Sequence, residues 1–332
     1  MDLFEVTLRA DQVMHVGAGK GSGFSSTSMS YVPASMFRGA IAARWWRLQP
    51  DADQQDFEDL IASVSFADAV VRDEANSGQP TLPLDRGKCK YPVTDCPPEG
   101  HRFDVATCET CGGRPQRPKG QRELPSGAGL LPSTRVALDR SERAKDDQLY
   151  RREALALGEH RLTARVAGTS EGLTRLGLVE RTALRFGGSR SVAGRVHIES
   201  VSPTPIPPVT VTRKAVLRVE LETLGVYVDD FGFPTPYPSP GMLRHSLGLD
   251  DATGCDIVRG FTRWAVAAGW HSKANSPKSQ DFAVIPHSVF HVQVTPPPGA
   301  AVSVPSVVNN LGLRCHEGCG WAAASALGGD DA

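Results

Sequence analysis

The chain has 332 residues, enough for one large domain or two of ordinary size. Its 36 Lys and Arg face 37 Asp and Glu, a net charge of −1. That excludes a strongly basic, free-standing nucleic-acid binder, but not a subunit bringing one basic face to an assembly. A mean hydropathy of −0.24 describes a soluble protein. No run approaches the roughly 18 apolar residues that span a bilayer, and the N-terminus lacks a signal peptide's basic start and apolar run. A cytoplasmic protein with no membrane partner is expected.

Residues 2–13 open with a half-buried strand, with Phe4, Val6 and Leu8 on one face and Glu5, Thr7 and Arg9 on the other. A Gly/Ser run follows over Gly17–Ser30. Pro33 and Ser35 then introduce a helix at about 34–48, whose stripe Phe37, Ile41, Trp45 and Leu48 should face the core. Arg38, Arg44 and Arg47 lie off that stripe, beside Trp46. A second helix is expected at Gln54–Ser63 on Phe57, Leu60 and Ile61.

Residues 72–132 are dense in Pro, Gly, Lys and Arg and poor in large apolar residues, as an insertion held by something other than a hydrophobic core would be. Four of the seven cysteines lie here, Cys89, Cys96, Cys108 and Cys111, spaced C-x₆-C-x₁₁-C-x₂-C. In a reducing compartment such a cluster reads as metal ligation before disulfides. CETCGG is a knuckle, with Gly112 and Gly113 freeing the backbone to aim N–H groups at thiolates. Four soft ligands suit a structural zinc, with His101 able to replace Cys89 or Cys96.

Strands are expected at Thr134–Asp139, Leu149–Leu157 and Arg161–Ala167, and a short helix around 171–180. Leu184–Ile198 then reads LRFGGSRSVAGRVHI: Arg185, Arg190 and Arg195 around Gly187, Gly188 and Gly194, with Ser189 and Ser191 between. Glycines permit close backbone approach and guanidiniums suit phosphate oxygens, so this loop fits a sugar-phosphate chain, against the plainer reading of a solvated turn. Residues 202–210 form a proline-rich boundary that can sustain neither a helix nor a central strand. The second half repeats the pattern: a strand at Ala215–Val228, a loop at Phe231–Pro240, helices at about 241–248 and 255–268, strands over Phe282–Val294, and a second glycine loop at Gly312–Trp321. Each half is compatible with a βαββαβ ferredoxin-like unit, which makes the fold class α+β.

Three segments together resemble a known family: the first strand with YVPASMFRGAIAARWW (Tyr31–Trp46), TRVALDRSERAKDDQLYRREAL (Thr134–Leu155), and LRFGGSRSVAGRVHI. They are similar to the RAMP superfamily of CRISPR-associated proteins, in particular the Cas-five-like subunit of type III effector complexes, subtype III-D. The resemblance implies two ferredoxin-like RAMP domains, 1–201 with the cysteine-rich insertion and 211–332, each with a glycine-rich loop. It implies a non-catalytic subunit that grips the repeat-derived 5′ tag of the guide RNA, caps the complex, and docks the large polymerase-like subunit and backbone RAMP subunits. Carried onto this chain, the RNA-contacting positions are Ser35, Arg38 and Gly39 after the first strand, and Gly187, Gly188, Arg190 and Gly194 in the first loop. Lys20, Arg44, Arg185, Ser189 and Arg195 are basic or polar neighbours of these. Gly312, Gly318 and Gly320 match the second loop, where Cys315 and Cys319 depart from the pattern.

GAGKGSG around Lys20 is not a nucleotide-hydrolysing phosphate loop, because Lys20 is followed by Gly21 and the helix begins more than ten residues later. Cys315, His316 and Cys319 are weaker metal candidates with no partner pair, and Cys255 is most simply a small buried residue. The competing class is a metal-independent guide-processing endoribonuclease using a histidine as general acid or base. His15, at the end of the first strand, is the best placed, ahead of His245 and His271. A third reading is a repeating backbone subunit, which would be present in several copies per guide.

Overall fold

Alternating burial of Phe4, Val6 and Leu8 makes β1 (Asp2–Ala10) the centre of a sheet. The computed structural model describes residues 2–18, 25–72, 81–93, 95–97, 100–118, 122, 124–138, 144–187, 193–271 and 276–327. The chain divides into two compact units, Met1–Gln79 with Arg122–Thr204 and Pro80–Gln121 with Pro205–Ala332. Both are mixed α+β and dominated by sheet.

In the first unit β1 pairs antiparallel with β3 (Arg161–Gly168) on one side and β5 (Arg195–Thr204) on the other. Adding β2 (Ala69–Arg72) and β4 (Ala183–Arg185) gives the order β4-β5-β1-β3-β2, with Tyr31–Val32 beyond β2. Helix α1 (Ala34–Leu48) and helix α2 (Gln54–Ala62) cover one face, burying Phe37, Ile41, Trp45, Phe57 and Leu60 against Val6, Leu8 and Val196. Leu48, expected on that stripe, is instead 61% exposed in the last turn of its helix. Asp53 caps α2, its carboxylate accepting from Gln55 N (2.7 Å) and Asp56 N (3.3 Å), which satisfies donors the helix leaves open. The strands expected at Thr134–Asp139 and Leu149–Leu157 are one longer hairpin, Gly129–Leu138 with Ala144–Ala156. The helix expected around 171–180 is only α3 (Ser170–Arg175), because Gly177 turns out at φ 75°.

The second unit repeats the plan. Central β6 (Ala215–Leu221) pairs antiparallel with β8 (Val289–Thr295) and β10 (Ala322–Ala326). With β7 (Gly254–Phe261) and β9 (Val307–Val308) the order is β9-β10-β6-β8-β7, matching the first sheet strand for strand. Its one α-helix among the described residues, α4 (Pro240–Ser246), starts at Ser239, whose hydroxyl accepts from Met242 N (3.2 Å). The helix expected at 255–268 is β7 followed by the strand Trp264–Ala267. A β-bulge between Ile257 and Arg259 breaks the period-2 pattern there and imitates helical spacing. The proline-rich stretch contains the short strand Pro208–Val211, paired only with Val302–Pro305, an edge position that prolines tolerate.

The cysteine-rich stretch also differs from expectation. It interrupts the sequence of the first unit, yet its described residues 81–118 cluster with the second. Packing explains this: Leu84 and Phe103 form an apolar cluster with Phe261 and Val289 of the second sheet. Asp85, buried, makes a two-pronged ion pair with Arg218 of β6 (2.7 and 2.9 Å).

Candidate RNA interface and metal centre

The two glycine loops share one backbone frame. In the first, Phe186 N donates to Gly194 O (2.9 Å) and Gly194 N donates to Val13 O (2.9 Å). In the second, Leu311 N donates to Gly320 O (3.0 Å) and Gly320 N donates to Leu224 O (2.8 Å). Gly187 and Gly194 have φ of 78° and 79°, and a Cβ on either would collide with the carbonyl oxygen of His15 or Phe186. Gly312 and Gly320, at φ 113° and 79°, would meet Val226 O and Leu311 O in the same way. These four glycines are therefore required by chain packing. Gly39 is the opposite case: it lies exposed on α1, and a Cβ there would meet nothing within 4 Å. Alanine at Gly194 or Gly320 is expected to cost more than about 1 kcal/mol. Alanine at Gly39 should instead add up to about 1 kcal/mol of stability through helix propensity. Denaturant midpoints check both signs.

The loops differ in what happens to their charge. Arg314 of the second adopts φ 56° and turns inward, its guanidinium reaching Asp281 (2.9 Å), Glu317 (2.7 Å) and Ala267 O (3.0 Å). Lys278 also pairs with Glu317 (2.8 Å). This arrangement holds the Glu317 carboxyl below its usual range against the opposing effect of burial. Cys315 donates to Gly312 O (3.1 Å), burial pushes its thiol up to about 11, and His316 is exposed. The first loop keeps its cations on adjacent strands: Arg185 of β4 stands directly opposite Arg195 of β5. Gly188, Ser189, Arg190, Ser191 and Lys20 lie outside the described residues.

The other predicted positions separate. Ser35 and Gly39 are exposed and Arg38 half-buried in the first turns of α1. That end is held from inside the unit: Asp68 accepts from Ala34 N (2.8 Å) and pairs with Arg122 (3.0 Å), which lies over the Tyr31 ring (4.2 Å). Arg44 lies two turns further along against the backbone of Gly177, just beyond the C-terminus of α3. Trp46 packs on Trp45 and Phe57 (5.2 and 5.1 Å between rings). His15 has both ring nitrogens engaged, Nδ1 with Glu153 O (2.6 Å) and Nε2 with Ser26 Oγ (3.1 Å). The carbonyl can only accept, so Nδ1 carries the proton and Nε2 accepts from the serine. His245 is exposed at the end of α4, and the side chain of His271 lies outside the described residues.

Cys89, Cys96, Cys108 and Cys111 converge, their sulfurs all within 4.8 Å of one another. Among the described residues no other His, Cys, Asp or Glu group is assembled for a metal. Cys96 and Cys108 sulfurs are 3.9 Å apart, close to the edge of about 3.8 Å that Zn–S bonds of about 2.3 Å give a tetrahedron. The donor set fits a metal that takes four thiolates. Gly112, at φ 67°, folds the knuckle so that Gly112 N donates to Cys108 O and Cys108 N to Gly113 O (2.8 Å each). Backbone N–H groups of Cys111 and Thr110 pull the Cys108 thiol down to about 6, while burial pushes Cys89 up to about 12. His101 lies beside the group, its Nε2 3.2 Å from Cys89 Sγ.

Asp85, at the start of the cysteine-rich stretch, belongs to a network that sequence reading missed. Arg218 joins Asp85 to Glu220 (2.8 Å), and Glu220 joins His287 Nδ1 (2.8 Å). His291 Nε2 is 3.6 Å from Asp85, between the rings of Phe103 and Phe261 (6.1 and 5.4 Å). Burial opposes the charge on Asp85, but His291 and Arg218 prevail and bring its carboxyl down to about 2.

No family model matches the chain, and no curated protein matches it in sequence. Solved structures do. A chain of the type III-B Cmr-beta complex bound to cognate target RNA and AMPPnP is 9% identical, with a TM-score of 0.51 over 86% of each chain. The same complex bound to cognate target RNA gives 10% identity and a TM-score of 0.51, again over 86% of each chain. The Csm3–Csm4 subcomplex of the type III-A CRISPR–Cas interference complex is similar at 10% identity and a TM-score of 0.42, over 92% of this chain and 99% of that one. At such identities the likeness is one of fold. No helix among the described residues is long and apolar enough to cross a membrane. The chain shares its fold with these chains of the type III-B Cmr-beta complex.

Proposed function

We propose that this chain is a structural RNA-binding subunit of a type III CRISPR effector complex, made of two ferredoxin-like RAMP halves. In this reading its first glycine loop grips the repeat-derived 5′ tag of the guide RNA. The chain caps the complex beside the large polymerase-like subunit and the backbone RAMP subunits. The shared strand order of the two sheets supports the two-half reading, because, the short β4 and β9 aside, β5-β1-β3-β2 and β10-β6-β8-β7 both follow the strand order of a βαββαβ unit.

The observation that carries the reading is the pair of guanidiniums at the base of the first loop. One backbone frame is used twice; in the second loop Arg314 pairs with Asp281 and Glu317, and beside the first Arg185 and Arg195 stand directly opposed on β4 and β5. Two guanidiniums side by side suit an anion placed between them. Phosphates supply that anion, while 2′-hydroxyls and unstacked bases would carry any discrimination for RNA. The open space over Gly39 leaves room for a ribose-phosphate to approach α1. The four thiolates hold a structural zinc in this reading, with no position left for a catalytic water.

His15 favours the scaffold over the nuclease, because its free ring edge is already spent on Ser26. Substituting Arg190 and Arg195 by alanine is expected to weaken guide binding by about tenfold or more and to flatten its salt dependence. Fluorescence anisotropy across a salt series reads both. Unchanged affinity and slope would remove the loop from the RNA site. Site-specific cleavage of repeat RNA in EDTA, abolished by His15→Ala, would replace the scaffold reading with the nuclease.

A further inference from the structure

The face of the first sheet turned away from α1 and α2 carries a row of cations set by strand register. His197 of β5 stands opposite Arg9 of β1. β1 and β3 pair with Leu8 opposite Leu162, which leaves Arg9 and Arg161 side by side at the end of that ladder. Arg161 in turn stands opposite Arg72 of β2. Four adjacent strands thus present four basic side chains in one line, about 14 Å long at the usual strand spacing. Arg195 sits two residues from His197 on the same strand and face, so the row continues into the first glycine loop. Such a line of like charges is costly to a sheet and needs a reason.

The acidic residues on this face position the row without cancelling it. Glu199 pairs with Arg161 (2.6 Å), Glu5 with Arg72 (4.0 Å) and Asp11 with His197 (3.2 Å). Those three carboxylates are each about 40% exposed, so solvent screens each pair and a competing anion can displace it. Glu199 is held below its ordinary range by the Arg161 hydrogen bond, then by the charges of Arg161, Arg9 and His197, which shows how closely these groups converge. The charged ends of Arg9, Arg72, Arg161 and His197 match the evenly spaced phosphates of a nucleic-acid backbone.

We infer that this face of the first sheet is a second, sequence-independent binding surface for the sugar-phosphate backbone of single-stranded RNA, continuous with the first glycine loop. The inference rests on the RNA-binding reading above and extends it to Arg9, Arg72, Arg161 and His197. The test is anisotropy of a fluorescein-labelled oligouridylate titrated with the full-length chain over a salt series. Substituting Arg9 and Arg72 together by alanine is expected to weaken binding about tenfold and lower the salt slope by about 1.4, two phosphates' worth on a single strand. Glu199→Gln is expected to strengthen binding and steepen the slope, a gain that loss of folding cannot produce. If the Arg190 and Arg195 variants weaken binding while the Arg9/Arg72 and Glu199 variants leave it unchanged, the row is overturned and the loop stands. If the wild-type chain binds no RNA, both fail. Tighter binding of a poly-glutamate peptide than of the RNA would overturn the inference in favour of an acidic protein surface.

Discussion

If the four cysteines hold the zinc proposed above, stripping it with a chelator, or replacing Cys108 with serine, is expected to unfold residues 81–118 while the first unit keeps its stability. Elsewhere the segment is held by Leu84 and Phe103 against Phe261 and Val289 and by Asp85 on Arg218. Among its described residues the buried apolar side chains besides the cysteines are Leu82 and Leu84, far short of a core of its own. Structural zinc sites contribute about 10–16 kcal/mol of apparent binding free energy, which becomes folding free energy when no site exists in the unfolded chain. Cys108 is the most sensitive position: it is nearly fully buried, and the N–H groups of Cys111 and Thr110 already favour its thiolate. Hydrogen exchange on chelated and untreated protein reads the effect residue by residue. Protection should vanish across Arg86–Gly87 and His101–Arg102 and persist in β1 and β3. Unchanged protection, or no metal found in protein purified without chelator, contradicts the account.

Arg218→Ala is expected to cost about 3–5 kcal/mol, because it leaves Asp85 and Glu220 as buried carboxylates without their cation. The pH dependence gives this effect a signature. In the native protein Asp85 is lowered from 3.8 to about 2, so its stabilising contribution is complete above the unfolded value and is lost as pH falls toward 2. Without Arg218 the lowering of the Asp85 pKa weakens while burial still opposes the charge, so the variant gains less from ionised Asp85 as pH rises. The gap between native and variant should therefore be widest near neutrality and narrow with acidification, measured by urea midpoints. Adding Asp85→Asn to the variant should recover much of the loss. A pH-independent gap would mean that Arg218 acts by packing alone.

Local pattern made much of the first unit legible. Period-2 burial at Phe4, Val6 and Leu8 and the helical stripe Phe37, Ile41 and Trp45 are properties of neighbouring residues, and both appear in the sheet and on α1. The convergence of the cysteines was legible for a similar reason: four thiols at short spacings in a stretch poor in apolar residues leave few alternatives, and their sulfurs do come together. What failed was either irregular or remote. The bulge at Ile257–Arg259 disguised a strand as a helix. The attachment of residues 81–118 to the second unit depends on Asp85 meeting Arg218, 133 positions away, where no periodicity reaches. The basic row is remote in the same sense, because Arg9, Arg72, Arg161 and His197 become neighbours only through strand order. Glycine was the most ambiguous letter. Gly187 and Gly194 are demanded by backbone contact, whereas Gly39 fills no packing role, so only the latter marks open surface.

The central claim is that one glycine loop of two related loops serves RNA. It is tested most directly by titrating the full-length chain with guide RNA carrying its repeat-derived 5′ tag and with the same RNA lacking the tag, for wild type and the Arg190→Ala, Arg195→Ala variant. The account predicts tighter binding of the tagged RNA by the wild type and loss of that difference in the variant. Equal affinity for both RNAs, unchanged by the substitutions, would contradict it.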